Sequence, residues 1–134
     1  MYNEPKQTKY KKTKKGKLKK LEFKSNKLKF GTIGLKAAES GIINSRQIEA
    51  ARQAIARKIK RKGKIWIKIF PDLPITLKPT GVRMGKGKGQ VAYWGARVSG
   101  GTVLFETCAA NLNTILSALK TGGAKLPIKT KIFT

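Results

Sequence analysis

The segment that decides the fold is residues 44–70, which reads NSRQIEAARQAIARKIKRKGKIWIKIF. In its first half the isoleucines share a narrow arc of a 3.6-residue wheel, which predicts an amphipathic helix: Ile48, Ile55 and Ile59. Asn44 precedes this pattern and Gln47 stands three positions later, a pairing that predicts the helix start. Gly63 predicts the helix end.

After Gly63 the period changes from helical spacing to alternation, which predicts a strand. One face of that strand carries Ile65, Ile67 and Ile69, and the other carries Trp66, Lys68 and Phe70. A short strand is also expected at residues 30–35, ended by Gly41, and another at residues 75–78 after a turn at residues 71–74.

Residues 91–98 and 102–108 are expected to form a hairpin about Ser99-Gly100-Gly101. A second helix over residues 112–120 stops at Gly122-Gly123 and points Leu112, Ile115, Leu116 and Leu119 inward. A last strand is expected at residues 126–133. The sequence therefore predicts an α+β fold: two helices packed on a mostly antiparallel sheet, with a basic extended N-terminal tail and a long glycine-lysine loop.

The charge of the chain limits the kinds of partner, and hence of function, that are expected. Its 134 residues carry 31 lysines and arginines against six acids, a formal net charge of +25. Such a surplus repels itself, so an anionic partner is expected, and nucleic acid is the leading one. No apolar run approaches the length of a membrane-spanning helix, so no membrane insertion is expected.

Catalytic and metal-binding devices are scarce in this sequence. There is no histidine, and the single cysteine excludes an internal disulfide. Cys108 lies in an apolar run and is predicted to be a buried structural thiol. The acids Glu49, Asp72 and Glu106 stand on different elements, so no acid-base pair is expected. We therefore expect no enzyme activity, no cofactor and no metal site.

Residues 1–29 differ from the rest of the chain. Lysine dominates them and apolar residues are few, so this tail is expected to be disordered when free and to be separate from a single globular domain at residues 30–134. An RNA-binding extension is favoured over a targeting peptide or an inert tail. The lysines expected to bind RNA are Lys9, Lys11, Lys12, Lys14, Lys15, Lys17, Lys19 and Lys20.

The first helix has a basic side opposite its isoleucines. Few acids balance this side, so a phosphate-binding surface is favoured over an ordinary solvated face. Its expected RNA-binding residues are Arg46, Arg52, Arg57, Lys60 and Arg61.

A glycine-lysine loop follows the predicted strand at residues 75–78. It consists of Arg83, Met84, Gly85, Lys86, Gly87, Lys88 and Gly89. Glycine permits positive φ and close approach of the backbone, while the cations suit a polyanion. The loop lacks the Ser/Thr of a phosphate-binding P-loop and does not have the spacing of a dinucleotide fingerprint. A surface loop without a ligand is the alternative. Either Tyr93 or Trp94, just beyond the loop, is a candidate for stacking on bases.

Several segments carry a family resemblance that covers nearly the whole chain. They are residues 9–12 and 15–16, 30–31, 34–37, 46–52, 63–66, 70–72, 74–76, 78–79, the loop at 83–89, 93–94 and 125–130. In their order the chain resembles the bacterial-type sixteenth protein of the large ribosomal subunit, a family related to the tenth large-subunit protein of archaea and the eukaryotic cytosol.

The resemblance implies a structural constituent of the large ribosomal subunit, set in rRNA near the base of the central protuberance. It implies that the loop at residues 83–89 faces the A-site tRNA acceptor arm near the peptidyl-transferase centre. The implied partners are large-subunit rRNA, that tRNA and neighbouring ribosomal proteins, and no homo-oligomer is expected. The rival functions are a free RNA chaperone, a DNA-compacting protein and an RNA-processing enzyme.

The composition also indicates which compartment contains the ribosome of this protein. Lysine far outnumbers arginine, which fits an A+T-rich coding genome. The family pattern begins almost at the N-terminus, which suggests a protein made inside an organelle without an import presequence. Residues 101–106 look more like mitochondrial members than plastid ones. The mitochondrial matrix is therefore expected, with plastid and bacterial cytoplasm as alternatives.

Overall fold

The computed structural model of the protein describes residues 4–18, 21–108 and 111–134. In chain order its elements are β1 (Ile33–Ala37), β2 (Gly41–Asn44), α1 (Ser45–Lys58), β3 (Lys64–Ile67), β4 (Leu73–Leu77), β5 (Gln90–Val98), β6 (Val103–Cys108), α2 (Leu112–Gly123) and β7 (Thr130–Phe133). The predicted α+β class with two helices is confirmed.

The strands form two antiparallel sheets instead of the one expected. The larger sheet has the order β3-β6-β1-β7, and the smaller has the order β2-β5-β4. Both helices pack on each other, with α1 against β2 and β5 and α2 against β1 and β7. The shared core draws on every one of these layers and contains Leu35, Ile43, Ile55, Val98, Phe105 and Leu119, all fully buried.

The predicted hairpin about residues 99–101 is wrong. β5 pairs with β2 and β4, whereas β6 pairs with β1 and β3, so the turn carries the chain from one sheet to the other. Gly101 has a φ of +95°, and its amide donates to the Ala37 carbonyl at 2.8 Å. Because the turn bonds to β1, β6 is directed between two other strands, where Leu104 and Phe105 are completely buried.

Gly41 was expected to end the first strand, but it begins β2. A Cβ atom at this position would lie 2.5 Å from Ile128 Cγ2, so the glycine is needed for close packing. β3 and β7 are shorter than predicted, and β4 includes Leu73 and Pro74, which were expected in a turn.

The predicted start of α1 at Asn44 is confirmed, but the predicted end at Gly63 is wrong. Asn44 and Gln47 form a reciprocal capping box, in which the Asn44 amide donates to Gln47 Oε1 at 2.9 Å. The helix ends at Lys58 because the next residues close a Schellman motif. The Lys60 amide donates to the Arg57 carbonyl and the Arg61 amide to the Ala56 carbonyl, both at 3.1 Å.

Lysine therefore occupies the position in this motif that glycine usually holds. Lys60 has a φ of +55° and Arg61 a φ of +61°. For residues with a Cβ, such left-handed conformations cost roughly 1–2 kcal/mol each. Since the sequence places no glycine there, its pattern predicted a helix that continued to Gly63.

The inward face of α2 is partly different from the predicted stripe. Ile115 and Leu119 are buried as expected, but Leu112 is 56% and Leu116 is 37% exposed. Ala118 and Gly122 take the inward positions instead. A Cβ atom at Gly122 would lie 2.5 Å from Ile55 Cγ1, so this glycine lets the helices approach rather than ending α2.

A buried carboxylate ties the chain before β1 to the larger sheet. Glu106 on β6 is fully buried, and its carboxylate accepts hydrogen bonds from the amides of Phe30 at 2.7 Å and Gly31 at 2.9 Å. The Lys29 amide also donates to it, at 3.2 Å, and Lys68 Nζ lies 3.6 Å away. A Cβ atom at Gly31 would lie 2.8 Å from the Thr107 amide nitrogen, so only glycine allows this approach.

The same contact organises an aromatic cluster on the outer side of the sheet. Phe30 stacks on Trp66 with ring centroids 6.1 Å apart, and Lys68 Nζ lies 4.3 Å from the Phe30 centroid. The predicted alternation of β3 is confirmed, because Ile65 and Ile67 pack against the core on the opposite side. Cys108, at the end of β6, was expected to be buried but is exposed.

Glu106 gives the fold a pH dependence in acid. Burial raises the pKa of its carboxyl, but the three amides and Lys68 together outweigh burial, and the net pKa lies below the ordinary value. A carboxyl with a lower pKa in the folded state stabilises the protein fully above its unfolded pKa of about 4.3, and this stability is lost as the pH falls through the folded pKa.

We therefore predict that Glu106→Gln lowers the free energy of unfolding by about 2–4 kcal/mol at pH 7, because an amide cannot satisfy three donors and a cation as a carboxylate does. Urea unfolding at several pH values measures the effect. The difference between wild type and variant should shrink below about pH 4.

Glu39→Gln is the matched control, because Glu39 is exposed and accepts the Lys129 amide at 2.8 Å. We expect this control to cost less than about 1 kcal/mol. Equal losses in the two variants, or a Glu106 effect that does not change with pH, would contradict the assigned role.

Candidate nucleic-acid interface

The glycine-lysine loop is the tip of the hairpin that joins β4 and β5. Leu77 pairs with Gln90 at the base of this hairpin. A Cβ atom at Gly89 would lie 2.5 Å from the Leu77 carbonyl oxygen, so glycine is needed where the two strands meet. Residues 81–88 are all exposed, and Met84 is 98% exposed. The loop therefore projects from a paired base into solvent.

The loop backbone turns through several left-handed residues. Gly85 and Gly87 have φ values of +95° and +82°, and Lys86 between them has a φ of +52°. A Cβ atom at either glycine would meet nothing within 4 Å. Within this protein the glycines therefore serve the backbone conformation, and open space surrounds them for a partner.

Lysines on and beside the hairpin donate to backbone carbonyls. Lys78 Nζ donates to the Gly85 carbonyl at 2.5 Å and so braces the loop from its base. Lys12 Nζ in the tail donates to the Lys88 carbonyl at 2.8 Å, and Lys88 Nζ donates to the Thr13 carbonyl. We call this reciprocal contact of Lys12, Thr13 and Lys88 the tail–loop clasp.

Arg97 extends the contact between tail and body. Its guanidinium on β5 donates to the Lys15 carbonyl at 2.7 Å and lies within 3.6 Å of the position a Cβ would take at Gly16. Gly16 has a φ of +65°. Sequence reasoning missed both Arg97 and Lys78, since a cation that binds a distant carbonyl leaves no local pattern.

The tail has no helix or strand over residues 4–18 and lies on the body through these contacts. The predicted RNA-binding lysines of this segment are exposed: Lys9, Lys11, Lys12, Lys14, Lys15 and Lys17. Lys19 and Lys20 lie outside the described residues. The sequence predicts a disordered tail before RNA binds, whereas the tail–loop clasp predicts an ordered one, and the order parameters of the tail amides in the free protein decide between these two predictions.

The basic side of α1 contains a groove of about 570 Å³ at the C-terminal end of the helix. We call it the α1 groove; its lining residues are Arg52, Gln53, Ala56, Arg57, Lys60 and Arg61. Four of the five cations predicted on this helix are thus brought together. Arg46 lies in the first turn, about 16 Å along the helix from Arg57, and does not line the groove.

Arg52 is already paired within the helix. Its guanidinium forms two hydrogen bonds to Glu49, at 2.7 and 2.9 Å. The hydrogen bond to Arg52 lowers the pKa of Glu49, against the opposing effect of burial, and the same bond raises the pKa of Arg52. Gln53 Nε2 also donates to Glu49 Oε1, at 3.2 Å.

The two aromatic residues beyond the loop differ in exposure. Tyr93 is 40% exposed, whereas Trp94 is half-buried, so Tyr93 is the better candidate for stacking on a base.

Within residues 4–18, 21–108 and 111–134, no three histidine, cysteine, aspartate or glutamate side chains form a group that could hold a metal ion. Neither helix in these ranges is long and apolar enough to cross a membrane.

The structure thus places three basic features on the surface: an exposed loop on a hairpin, a tail bonded to that loop and a groove on α1. Residues 5–133 match the family described as ribosomal protein L16p/L10e. The chain belongs to this family. Membership covers the tail, the loop and both helices, and it confirms the resemblance on which the sequence was interpreted.

Curated bacterial proteins show the same similarity. The chain is 50% identical to the large ribosomal subunit protein uL16 of Sinorhizobium fredii over 128 residues, which are 96% of this chain and 93% of that protein. Its identity to the large ribosomal subunit protein uL16 of Bartonella henselae is 52% with the same coverage. The similarity therefore extends over nearly the full length of both partners.

We predict that Lys88→Met releases the tail from the hairpin, because it removes the donor to Thr13 and weakens the approach of Lys12. NMR order parameters of the backbone amides at residues 12–16 should fall from about 0.8 to below about 0.6.

Lys86→Met removes the same charge from the same loop without touching the clasp, so it should leave these order parameters unchanged. An equal change of the order parameters in both variants would show that net charge, and not the clasp, causes the effect. A wild-type tail that already shows values below about 0.6 would contradict the clasp in the free protein.

Proposed function

We propose that this L16p/L10e family member binds large-subunit rRNA near the base of the central protuberance and supports the A-site tRNA acceptor arm near the peptidyl-transferase centre. The observation that carries this proposal is the exposed loop at residues 83–89, held out on the β4–β5 hairpin. As a member of a ribosomal protein family, the chain is a structural constituent of the large subunit and not an enzyme.

The loop suits a position between RNA strands. Arg83 and Lys86 are exposed and supply charge for phosphates, while Gly85 and Gly87 leave the backbone uncovered. Lys78 and the tail–loop clasp fix the base of the loop, which lowers the entropy that binding must remove. These contacts position RNA without reading its sequence.

The tail and the α1 groove supply further rRNA contacts. The described tail lysines are exposed, the tail contacts the hairpin at Lys88 and Arg97, and the groove gathers cations at the end of α1. Counterion release makes such contacts strong at low salt and weaker as salt rises. Neighbouring large-subunit proteins are proposed as additional partners.

We also propose the mitochondrial matrix as the location of this ribosome. The excess of lysine over arginine supports an A+T-rich organelle genome. The similar proteins from Sinorhizobium fredii and Bartonella henselae are bacterial, and they support the bacterial cytoplasm as the competing location. Detection of the protein in purified mitochondria distinguishes the two.

The double variant Arg83→Gln/Lys86→Gln should weaken A-site tRNA binding about tenfold or more, since each lost charge-assisted contact is worth about 1.5–3 kcal/mol before compensation. Incorporation into subunits should stay close to wild type. Filter binding of tRNA to purified variant subunits and quantification of the protein in those subunits measure the two effects.

Lys125→Gln/Lys131→Gln removes the same charge from exposed positions on the body and should leave A-site binding unchanged. Parallel loss of tRNA binding and incorporation in the loop variant would contradict a role at the A site.

Gly87→Val should reduce translation although no charge is lost, because a side chain would enter the space proposed for RNA. Gly81→Val is a matched control: its φ of +87° is close to that of Gly87, and its added Cβ also meets nothing within 4 Å. Both variants should cost about 1 kcal/mol of stability. Equal translation rates in the two would contradict close approach at the loop tip.

A further inference from the structure

The α1 groove is concave, which a purely electrostatic surface does not require. It has a volume of about 570 Å³ and is partly open to solvent. Arg52, Gln53 and Arg57 line it from the helix, and Lys60 and Arg61 line it from the turn that follows.

The floor of the groove is the smallest residue of its lining. Ala56 is half-buried, whereas the neighbouring lining residues Gln53, Arg57 and Lys60 are exposed. Its carbonyl accepts the Arg61 amide at 3.1 Å, so the floor and the turn are joined by the backbone. A flat ring can therefore approach the helix at Ala56 with cations around it.

The polar groups of the groove are held before any ligand arrives. Glu49 accepts two hydrogen bonds from Arg52 and one from Gln53, which fixes the guanidinium plane and leaves the Gln53 side-chain oxygen as an acceptor. A fixed guanidinium plane suits stacking on a base, and an amide suits the hydrogen-bonding edge of a base.

The turn carries cations where glycine would be less strained. Lys60 and Arg61 both adopt left-handed conformations that their Cβ atoms disfavour. Attraction to the helix dipole explains basic residues in the last turn, such as Arg57, but it does not require cations in a strained turn beyond the helix. Backbone strain that persists beside a cationic groove indicates a functional role, such as binding a ligand.

We propose that the α1 groove binds a single unpaired nucleotide of large-subunit rRNA. The base lies over Ala56 against an arginine plane with its edge at Gln53, and the phosphate meets Lys60 and Arg61. Bases in duplex RNA are stacked and hidden, whereas a nucleotide that leaves the helix can enter a concave pocket. This site rests on the proposed rRNA binding and specifies its form.

Ala56→Leu tests the proposal by filling the groove without changing any charge. Wild-type and variant full-length protein are bound to a transcript of the large-subunit rRNA, and affinity is measured across a salt series. Affinity should fall roughly 5- to 100-fold, the range expected for loss of one stacked base, with an unchanged salt slope. Ala50→Leu, on another side of the same helix, should bind as wild type.

Chemical probing of 2′-hydroxyl reactivity on the same complexes locates the nucleotide. One rRNA position should be altered by the wild type and by Ala50→Leu but not by Ala56→Leu. Wild-type affinity and an unaltered probing pattern for Ala56→Leu would overturn the proposal and leave the cations as a flat contact surface. Failure of the wild type itself to bind the transcript would instead contradict the proposed rRNA binding.

Lys60→Gly tests whether Lys60 serves ligand binding or the stability of the fold. Glycine relieves the left-handed strain, so the free protein should unfold at a higher temperature, while rRNA affinity falls and the salt slope decreases by about 0.7. A variant that loses thermal stability, or that keeps full affinity, would overturn the proposal. If Ala56→Leu blocks co-assembly of a neighbouring protein without changing rRNA binding, the ligand is an acidic protein segment and the nucleotide proposal is wrong.

Discussion

The structure depends on one buried carboxylate. Glu106 is held in the larger sheet by β6 and accepts the amides of three consecutive residues that precede β1. In a chain of net charge +25, this contact fixes where the basic N-terminal segment meets the folded body. Nearer the N-terminus, Lys88 and Arg97 form separate contacts with the backbone of Thr13 and Lys15.

Few acids are present, and the protein instead binds several of its cations to backbone carbonyls. Lys78 braces the loop, Lys12 and Lys88 join tail and loop, and Arg97 holds the tail on β5. Carbonyl oxygens stabilise these cations without neutralising them. The surface therefore keeps its full positive field for RNA while the tail and the loop are held in place. A salt bridge to an acid would have provided the same geometry but reduced that field.

Local patterns of sequence predicted much of this architecture, and non-local contacts account for what they missed. The capping pair at Gln47 and the exposure of the loop depend on neighbouring residues, so both could be predicted from the local sequence. Gly41 and Gly122 resemble breaks in sequence, but each is small because a side chain from a distant element packs against it. The helix end at Lys58 and the role of Arg97 likewise depend on hydrogen bonds to backbone carbonyls, which a pattern of residue types does not predict.

This chain is a structural constituent of the large subunit, and we propose that many phosphate contacts and close packing of its loop and groove hold it there. Sedimentation of the tagged full-length protein from lysate, before and after a high-salt wash, tests that claim most directly. Comigration with the large subunit that resists the wash is the predicted result. Recovery at the top of the gradient, or release at moderate salt, would contradict it and identify a loosely bound basic protein.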